Sequence, residues 1–399
     1  MKRSSPLCKI LDTEIARILP QAIAIRQHIH AHPELSGAEY ATARLLFDTL
    51  KKAGIKARYF LDKTAVTGVI GAPGKTVVLR ADLDALAQIE QNAVSFKSMV
   101  PGVMHACGHD MHAAMLIGAA LVLHAIGTMV EGTVVVLFQP HEEKEPGGAR
   151  RLIQAGAFPA DTDAVFGLHV SSELTCGTVG IKSGAECAAV FDFDIVIYGK
   201  GGHGAAPQRC IDPIICAAAV VTALQTLISR ENNPFQPAVL TVGMLHSGTS
   251  RNIIPDSALL RGTVRTFSEP QSERLKIRIR QMATSIAQAF GARAATTIIP
   301  SYPAGFNDVD LTEKCRTILR DNLGTKAVID LSEPVMFAED FAYYQKKAPG
   351  VLLHLGVRPP KQKNMPPLHA PDFLPDENAI KTGILTHCFL AIETLKSEE

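Results

Sequence analysis

The segment at residues 104–112, MHACGHDMH, places one thiol, three imidazoles and a carboxylate within nine positions of the chain. An apolar, alanine-rich segment follows at residues 113–126 and predicts a helix. Asp110 is the predicted N-cap of this helix, which would leave Cys107 and His109 on the tight turn before it. A thiolate and an imidazole on such a turn can bind one metal ion or bridge two, and both suit ions such as Zn²⁺.

This short motif alone has a second explanation, a buried cysteine beside helix-capping residues. Three predicted strands help to decide, because each ends in side chains that can bind a metal ion. The strands and these side chains are residues 76–81 with Asp82 and Asp84, residues 132–138 with Glu142 and Glu143, and residues 163–170 with His169. The convergence of acids and a histidine at strand ends favours a metal site over the buried cysteine.

The composition is that of a globular protein rather than a disordered one. Of the 399 residues, 47% are hydrophobic and 20% are charged, and the formal net charge is +1. Because lysine and arginine are spread along the chain, the charge distribution argues against a nucleic acid or an anionic membrane as a partner. No apolar run reaches the length of a membrane span.

The start of the chain and the cysteines indicate a cellular compartment. Lys2 and Arg3 are followed by Lys9, Asp12 and Glu14, which interrupt any apolar core of a signal peptide. The eight cysteines are scattered, and no two of them form a CxxC pair. A long chain of this kind is predicted to be cytoplasmic, with reduced thiols.

Between Phe191 and Ile197, large apolar side chains occupy every second position, as in a strand with one face in water. The segments that follow predict the order β-α-β-β-α-β of a ferredoxin-like unit. They are a helix at 212–230, strands at 238–244 and 258–267, a helix at 270–290 and a strand at 293–300. We therefore predict an α/β catalytic domain at residues 1–188 and 303–399, interrupted by an inserted domain at residues 189–302.

Nine short motifs follow one another along nearly the whole chain. They are HAHPELSG at 30–37, LRADLDAL at 79–86, MHACGHDMH at 104–112, FQPHEE at 138–143, GLHV at 167–170, GKGGHGAAP at 199–207, RNIIPD at 251–256, FAEDFAYY at 337–344 and PLHAPDF at 367–373. In this order they resemble the M20 metallopeptidases. The resemblance is to the amidohydrolase branch, which contains hippurate hydrolases, N-acyl-amino-acid amidohydrolases and auxin-conjugate hydrolases.

The resemblance implies a site for two divalent metal ions. Its ligands would be Cys107, His109, Glu143, His169 and His369, with Cys107 bridging the two ions. The metal is left open between Zn²⁺, Mn²⁺, Co²⁺ and Ni²⁺, because sites of cysteine, histidine and glutamate accept all four.

The resemblance also implies roles in catalysis and substrate binding for residues that are not metal ligands. Glu142 would be the general base, and Asp84 would orient a ligand. His203, on the inserted domain, would reach into the active site of a partner subunit and stabilise the oxyanion. Asn252 and Arg265 would hold the carboxylate of the substrate. The assembly implied is a homodimer formed through the inserted domain.

Amide hydrolysis gives a chemical reason for the two adjacent acids. A metal ion lowers the pKa of water toward ~7, and a carboxylate beside it takes the proton and passes it to the leaving amine. Because Glu142 and Glu143 are neighbours, one can bind metal while the other faces the water. His105, His112 and His141 are predicted either to be structural or to support a ligand, rather than to be ligands themselves.

The sequence departs from the family pattern at a few positions. Residues 144–146 separate the two acids from the usual glycines, and Ala87, Gln208 and Ala338 replace a proline, a histidine and a small hydroxyl residue. None of these changes removes a predicted ligand. They bear on the choice of substrate rather than on catalysis.

The sequence thus predicts a metal-dependent amidohydrolase. It would cleave N-acyl-amino acids, such as hippurate-like or N-acetyl-amino acids, to a carboxylic acid and a free amino acid. Two alternatives remain open. One is an aminoacylase-like or dipeptide hydrolase on the same scaffold, and the other is a catalytically silent member that binds a metal or a ligand.

Overall fold

The computed structural model describes residues 6–396, which form two compact units. The first unit holds the chain up to Gly184, together with Phe306–Pro334 and the chain from Asp340 onward. The second unit holds Ala185–Gly305 and Val335–Glu339. Lys2 and Arg3, the charged residues at the start of the chain, lie outside the described residues.

Helices and strands alternate along much of the chain. The helices are α1 (Pro6–Ala31), α2 (Tyr40–Lys52), α3 (His109–Ala125), α4 (Gly148–Gln154), α5 (Pro213–Ser229), α6 (Glu269–Ala289), α7 (Val309–Leu323), α8 (Ala342–Gln345) and α9 (Ala379–Leu395). The strands are β1 (Lys56–Phe60), β2 (Ala65–Gly71), β3 (Thr76–Asp82), β4 (Thr133–Gln139), β5 (Ala164–Thr175), β6 (Val179–Ile181), β7 (Gly184–Cys187), β8 (Ala189–Tyr198), β9 (Gly202–His203), β10 (Ala238–Ser247), β11 (Ile253–Ile254), β12 (Ser257–Thr266), β13 (Arg293–Pro300), β14 (Gly305–Asn307), β15 (Val328–Asp330) and β16 (Gly350–Arg358).

The first unit is built on an eight-stranded sheet with the strand order β1-β2-β4-β3-β5-β16-β6-β15. The centre of this sheet is parallel, because β3 pairs in parallel with both β4 and β5, and β5 pairs in parallel with β16. Asp82 lies opposite Gln139 in the register of β3 and β4. The carboxyl ends of the central strands therefore meet at one edge, where open α/β sheets bind their ligands.

Helices cover both faces of this sheet, which explains why β3 and β4 are buried at nearly every position and mostly apolar. Val77 and Leu79 of β3 pack into the core cluster that contains α1, α3 and α9. Val78 points the other way and packs into a smaller cluster with α4 and α8. α3 is buried along nearly its whole length, as its alanine-rich sequence predicts.

The start of α3 differs from the prediction. The helix begins at His109, and Gly108 is its N-cap, so the prediction that Asp110 caps the helix is wrong. Asp110 instead points into the core, where its Oδ2 lies 2.7 Å from Arg26 Nε and 2.9 Å from His30 Nδ1. Burial alone would raise the pKa of Asp110, but Arg26 and His30 outweigh it and hold this pKa below its usual value.

The second unit is a four-stranded antiparallel sheet with the order β10-β12-β8-β13, and α5 and α6 pack on one face of it. Along β8 the buried and half-buried positions alternate, as the sequence predicts. Asp212 caps α5 through its side chain, which accepts the N–H of Ile214. The predicted α/β class with a ferredoxin-like insert is confirmed.

Several short elements of the first unit were not predicted, namely β1, α4, β6 and β15. They have too few residues to show a hydrophobic period, and their positions are set by the neighbours that they pair with or pack on. Within residues 6–396, no helix is both long and apolar enough to cross a membrane.

The buried contacts of Arg26 lead to a prediction about stability. Arg26 is fully buried, and besides Asp110 its guanidinium binds Glu377 Oε1 at 3.0 Å. Replacing it by methionine leaves the buried Asp110 carboxylate with less compensation, so Arg26→Met should lower the free energy of unfolding by ~3–5 kcal/mol. Urea titration of the metal-free protein measures this change.

The matched control is Arg17→Met on the same helix. The Arg17 side chain is 64% exposed and pairs with Glu14 one turn away. Exposed pairs of this kind contribute only ~0.3–0.5 kcal/mol. Equal effects of the two substitutions would show that the buried pair with Asp110 does not stabilise the first unit.

Candidate metal centre

The turn before α3 carries the first two predicted ligands. Cys107 is buried on this turn, and His109 begins the helix. Gly108 between them has φ of 81°, in the left-handed region. A Cβ at this position would lie 2.6 Å from Cγ2 of Val170, so both the conformation and the packing require glycine. The turn thus holds the thiol and the imidazole against the middle of β5.

The predicted ligands meet in three overlapping groups, in each of which the ligand atoms lie within 4.8 Å of one another. The groups are Cys107 with His109 and His169, Cys107 with Glu143 and His369, and His109 with Glu142 and Glu143. Cys107 Sγ lies 3.6 Å from His169 Nε2, and Glu143 Oε1 lies 3.3 Å from His369 Nε2. Cys107, His109 and Glu143 each belong to two of these groups, so the groups form one connected centre, and Cys107 is among the residues placed to bridge two ions.

His369 reaches the centre from a loop that is distant along the chain. Its N–H donates to the carbonyl of Ala106 at 2.9 Å, which ties this loop to the turn of Cys107. The backbone of His369 has φ of 66°, which is uncommon for a residue other than glycine. The surrounding contacts hold this strained conformation, as is often seen at functional sites. The ring is half-exposed, so this side of the centre is open to solvent.

Asp84 connects three parts of the centre. Its Oδ1 accepts the N–H of Glu142 at 3.0 Å, and its Oδ2 accepts the N–H of Glu143 at 2.9 Å. Oδ2 also accepts the hydroxyl of Ser36 at 2.6 Å. His109 Nδ1 lies 3.4 Å from Oδ1. One buried carboxylate therefore positions both acids of the loop after β4 and the histidine at the start of α3.

Negative charge is concentrated around His109. Its Nε2 lies 3.8 Å from both Asp82 Oδ1 and Glu143 Oε1, in addition to the contact of Nδ1 with Asp84. Burial lowers the pKa of His109, but the carboxylates outweigh burial, Asp82 most strongly, and raise this pKa to about 10. Several carboxylates in one buried place require a compensating cation, which a divalent metal ion supplies in metalloenzymes.

His169 presents one nitrogen to this centre. Burial lowers the pKa of His169 well below its usual value, so the ring is neutral. Its Nδ1 donates to the carbonyl of Val170 at 2.8 Å, and Nε2 therefore carries the lone pair. Burial, followed by the charge of Glu143, raises the pKa of the Cys107 thiol. A nearby metal ion reverses this preference, because a bound thiol ionises.

The donor set passes a test of fit for a metal ion. Within the described part of the chain, Nε2 of His109 and Oε1 of Glu143 are buried without a hydrogen-bond partner, whereas Nδ1 of His109 faces Asp84. Buried polar atoms normally have a hydrogen-bond partner. A metal ion would be a suitable partner for these atoms, because the surrounding side chains do not provide one. Imidazole, carboxylate and thiolate together suit borderline divalent ions.

Two residues that support the centre were not assigned roles from the sequence. Asp82 ends β3, and its carboxylate faces His109. Glu39 accepts the N–H of Gly37 and of His141, both at 2.8 Å. Burial, followed by the charge of Asp84, raises the pKa of Glu39 to about 7. Asp82 had a sequence signal, its place at a strand end, but Glu39 is remote in sequence from every predicted ligand.

The other predicted site residues lie in the second unit. β9 and β11 form a short antiparallel ribbon in which His203 is opposite Ile253, and the carbonyl of Asn252 accepts the N–H of Gly204 at 2.9 Å. The N–H of Ala205 donates to His203 Nδ1 at 3.0 Å, so the ring proton lies on Nε2. The ring is exposed and can donate this proton outward in a hydrogen bond.

Arg265 is separated from this ribbon within the same chain. It lies on β12 opposite Val190, whereas Ser257 at the start of β12 is opposite Tyr198. At a rise of ~3.3 Å per residue, the position of Arg265 is roughly 26 Å along the strand from the end that joins β11. A single chain does not bring Asn252 and Arg265 to one carboxylate.

The chain is similar to hydrolases over most of its length. Thermostable carboxypeptidase 2 of Saccharolobus solfataricus is 40% identical over 392 residues, which cover 97% of this chain and 98% of that protein. N-acetyl-L-cysteine deacetylase of Bacillus subtilis is 39% identical over 364 residues, which cover 90% of this chain and 85% of that protein. These similarities favour an enzyme over the catalytically silent alternative.

A solved structure agrees with these relatives. The YXEP protein of Bacillus subtilis, a dinuclear metal binding peptidase from the M20 family, has a TM-score of 0.83 and 33% sequence identity, and the match covers 95% of this chain and 99% of that one. Residues 78–392 match Peptidase family M20/M25/M40. The chain therefore belongs to this family, as its motifs predict, and is a metal-dependent hydrolase.

Proposed function

We propose that the protein hydrolyses the amide bond of N-acyl-amino acids and releases a carboxylic acid and a free amino acid. Cys107, His109, Glu143, His169 and His369 would hold two divalent metal ions for this reaction. The observation that carries the proposal is the pair of ligand groups that share Cys107, with Glu142 beside them. When bound, the metal ions supply Lewis acidity that polarises the amide carbonyl and lowers the pKa of water.

Glu142 is the general base in this proposal. It is buried, and its backbone N–H is held by Asp84, so its carboxylate has a fixed place beside His109 and Glu143. From there it takes a proton from the attacking water and delivers it to the nitrogen of the leaving amino acid. Glu143, whose Oε1 lies near the rings of both His109 and His369, is the ligand of the pair.

The relatives narrow the class of substrate without deciding it. One is a deacetylase of N-acetyl-L-cysteine, and another is a carboxypeptidase, which by definition removes a carboxy-terminal amino acid. Both activities cleave an amide bond on the nitrogen of an amino acid. They differ in whether the acyl group is a simple acid or another amino acid. The second candidate function is therefore the hydrolysis of short peptides at the same site.

We also propose that the enzyme is a homodimer in which each active site uses His203 of the partner. β10 is an edge strand of the insert sheet, and Val239, Met244 and Leu245 are exposed on it. An exposed apolar edge strand can pair with its own copy across a two-fold axis. Such pairing would cover the apolar side chains of both copies.

The separation of Arg265 from the ribbon of His203 and Asn252 supports shared sites. Arg265 lies roughly 26 Å along β12 from the end that joins the ribbon, so on one chain the two cannot bind one small substrate, but they can serve two different sites of a dimer. In this arrangement each substrate carboxylate would meet Arg265 of one subunit and the ribbon of the other. Nε2 of His203, which bears a proton, would donate to the developing oxyanion.

The metal and the cellular compartment are the remaining parts of the proposal. The ligand set accepts Zn²⁺, Mn²⁺, Co²⁺ or Ni²⁺, and supply in the cell often decides between such ions. All eight cysteines lie among the described residues, and none of them forms a disulfide. Free thiols on a chain of this size suit the cytoplasm, where cysteines stay reduced.

The first prediction from the proposed function concerns the substrate. An N-acetyl-amino acid should be hydrolysed, and its α-amide should show a kcat/KM ~5- to 150-fold lower, because amidation leaves polar groups of the site unpaired at a cost of ~1–3 kcal/mol. Asn252→Ala should reduce this difference between acid and amide. A panel of N-acetyl-amino acids, N-benzoyl-amino acids and dipeptides, assayed with each of the four metals, measures both. Faster hydrolysis of dipeptides than of every acyl-amino acid would favour the second candidate function.

The second prediction separates the two adjacent acids. Glu142→Gln should retain the metal content of the wild type but lose at least ~10²-fold in kcat, because it removes the proton carrier. Glu143→Gln should lose metal affinity as well. Metal analysis after dialysis, together with kcat at saturating metal, distinguishes the two variants. Near-normal turnover by Glu142→Gln would show that another group is the base.

The third prediction tests shared active sites. His203→Ala and Glu142→Gln should each be nearly inactive. For His203→Ala, which lacks the oxyanion donor, the expected loss in kcat is on the order of 10²–10³. If His203 acts across the interface, a heterodimer of the two variants contains one site with both defects and one with neither. Mixing the unfolded variants and refolding them should then restore up to about half of the wild-type activity per heterodimer.

The control for this experiment mixes Glu142→Gln with Cys107→Ser. Both changes lie in the first unit, so every site of that heterodimer is defective in either arrangement. Activity that returns only in the His203→Ala mixture supports shared sites. Heterodimers that form without recovery of activity would place His203 in the site of its own chain.

A further inference from the structure

His112 is buried on α3, one turn after His109, and both of its ring nitrogens are engaged. The N–H of Val170 donates to Nε2 at 2.9 Å. Nδ1 lies 2.5 Å from Oδ1 of Asp82. The ring therefore joins the middle of β5 to the end of β3.

These two contacts determine where the ring proton lies. A backbone N–H can only donate, so Nε2 must carry the lone pair that accepts it. The proton is then on Nδ1, from which it is donated to the carboxylate of Asp82. His112 is thus a neutral ring in one tautomer, and neither nitrogen is left with a lone pair for a metal ion.

Val170 follows His169 directly in the chain. Its contact with His112 lies beyond the point at which β5 stops pairing with β3. The pairing of β5 with β3 ends at Gly167 opposite Arg80. Three residues further on, His112 supplies the acceptor for the N–H of Val170. The carbonyl of Val170 in turn accepts Nδ1 of His169. The position of Val170 therefore sets the direction of the His169 ring.

The other end of this connection is anchored in the core. Oδ2 of Asp82 accepts Nη1 of Arg80 at 2.6 Å, and Arg80 Nη2 lies 2.9 Å from Asp340 Oδ1. Gln139 accepts Nε of the same arginine at 2.9 Å. All of these side chains are buried. Asp82 is therefore held in place, and it can orient His112 in turn.

We propose that His112 is a positioning residue: it holds Val170 through Nε2, and so directs Nε2 of His169 toward Cys107, without being a ligand itself. This inference rests on the proposed function, in which His169 binds metal. Histidine ligands commonly depend on a second group that fixes their tautomer and direction, and losing such a group costs 10–100-fold in metal affinity. Here His112 acts through the backbone of Val170, the residue that follows the ligand His169 on β5.

Three substitutions separate the two contacts of His112. The amide oxygen of His112→Gln can reach the place of Nε2 and accept the N–H of Val170. The shorter side chain of His112→Asn reaches only the place of Nδ1, so it can donate to Asp82 but leaves Val170 without an acceptor. His112→Ala makes neither contact. The asparagine and alanine variants should bind metal about 10–100-fold more weakly, and the glutamine variant should bind close to the wild type.

The measurement is a competition titration of the metal-free protein with Zn²⁺ against a chelating dye, which gives affinity and stoichiometry without any assay of activity. All three variants should bind as many ions as the wild type. A lost ion in every variant, glutamine included, would identify His112 as a ligand and overturn the inference. Wild-type affinity in the asparagine and alanine variants would also overturn it, and so would a glutamine variant as weak as alanine.

Two controls complete the experiment. His169→Gln should lose affinity for Zn²⁺, and if it does not, His169 is not a ligand and the proposed function fails at this residue. If His169→Gln loses affinity but the His112 variants do not, only the inference about His112 is refuted. His387→Gln replaces another buried histidine of the first unit, on α9, and should leave metal affinity unchanged. A loss of affinity there equal to that of His112→Ala would assign the effect to packing and overturn the inference.

The tautomer gives an independent readout. Nitrogen NMR of the metal-free protein, with the His112 signals assigned from the His112→Gln variant, distinguishes a protonated ring nitrogen from one with a lone pair. His112 should show its proton on Nδ1, and His169 should as well. A proton on Nε2 of His112 would contradict the hydrogen bond from Val170 and with it the proposed role.

Discussion

The candidate metal centre depends most on the hydrogen bonds that the carboxylate of Asp84 accepts. This carboxylate is buried at the end of the central strands, where it accepts the backbone N–H groups of both Glu142 and Glu143 and faces His109. Two successive N–H groups bound to one carboxylate fix the path of the loop after β4. Adjacent residues then point to different places, which allows two neighbouring acids to have different roles.

A second set of buried polar contacts lies behind the ligands. Arg80, Asp82 and His112 form a connected series from the core to the strand that carries His169. Each of them is buried, and an incomplete network of this kind would be costly. The series therefore has few alternative arrangements. Rigid support is what a metal centre requires if its ligands are to keep their positions before the ion is bound.

The longer strands, the ferredoxin-like order of the insert and the segments that carry most of the candidate ligands could be predicted from the sequence. Continuous apolar runs identify β3 and β4, and alternation identifies β8, because burial leaves a period in the residues. Short elements such as β15 have no such period. Asp110 was misplaced, because an acid near a helix start usually caps it, and nothing local reveals the buried Arg26 that binds it here.

What the sequence by itself determined is the set of chemical groups: a cysteine and histidine on a glycine turn, acids after buried strands, and a histidine on another strand. The local sequence carries this information, because each group lies on or beside a helix or strand whose hydrophobic period can be recognised. Only the tertiary structure decided which of these groups meet, that Glu39 supports His141, and that His112 holds Val170. These contacts join residues far apart in the chain, and they follow from strand order and register, which no short segment encodes.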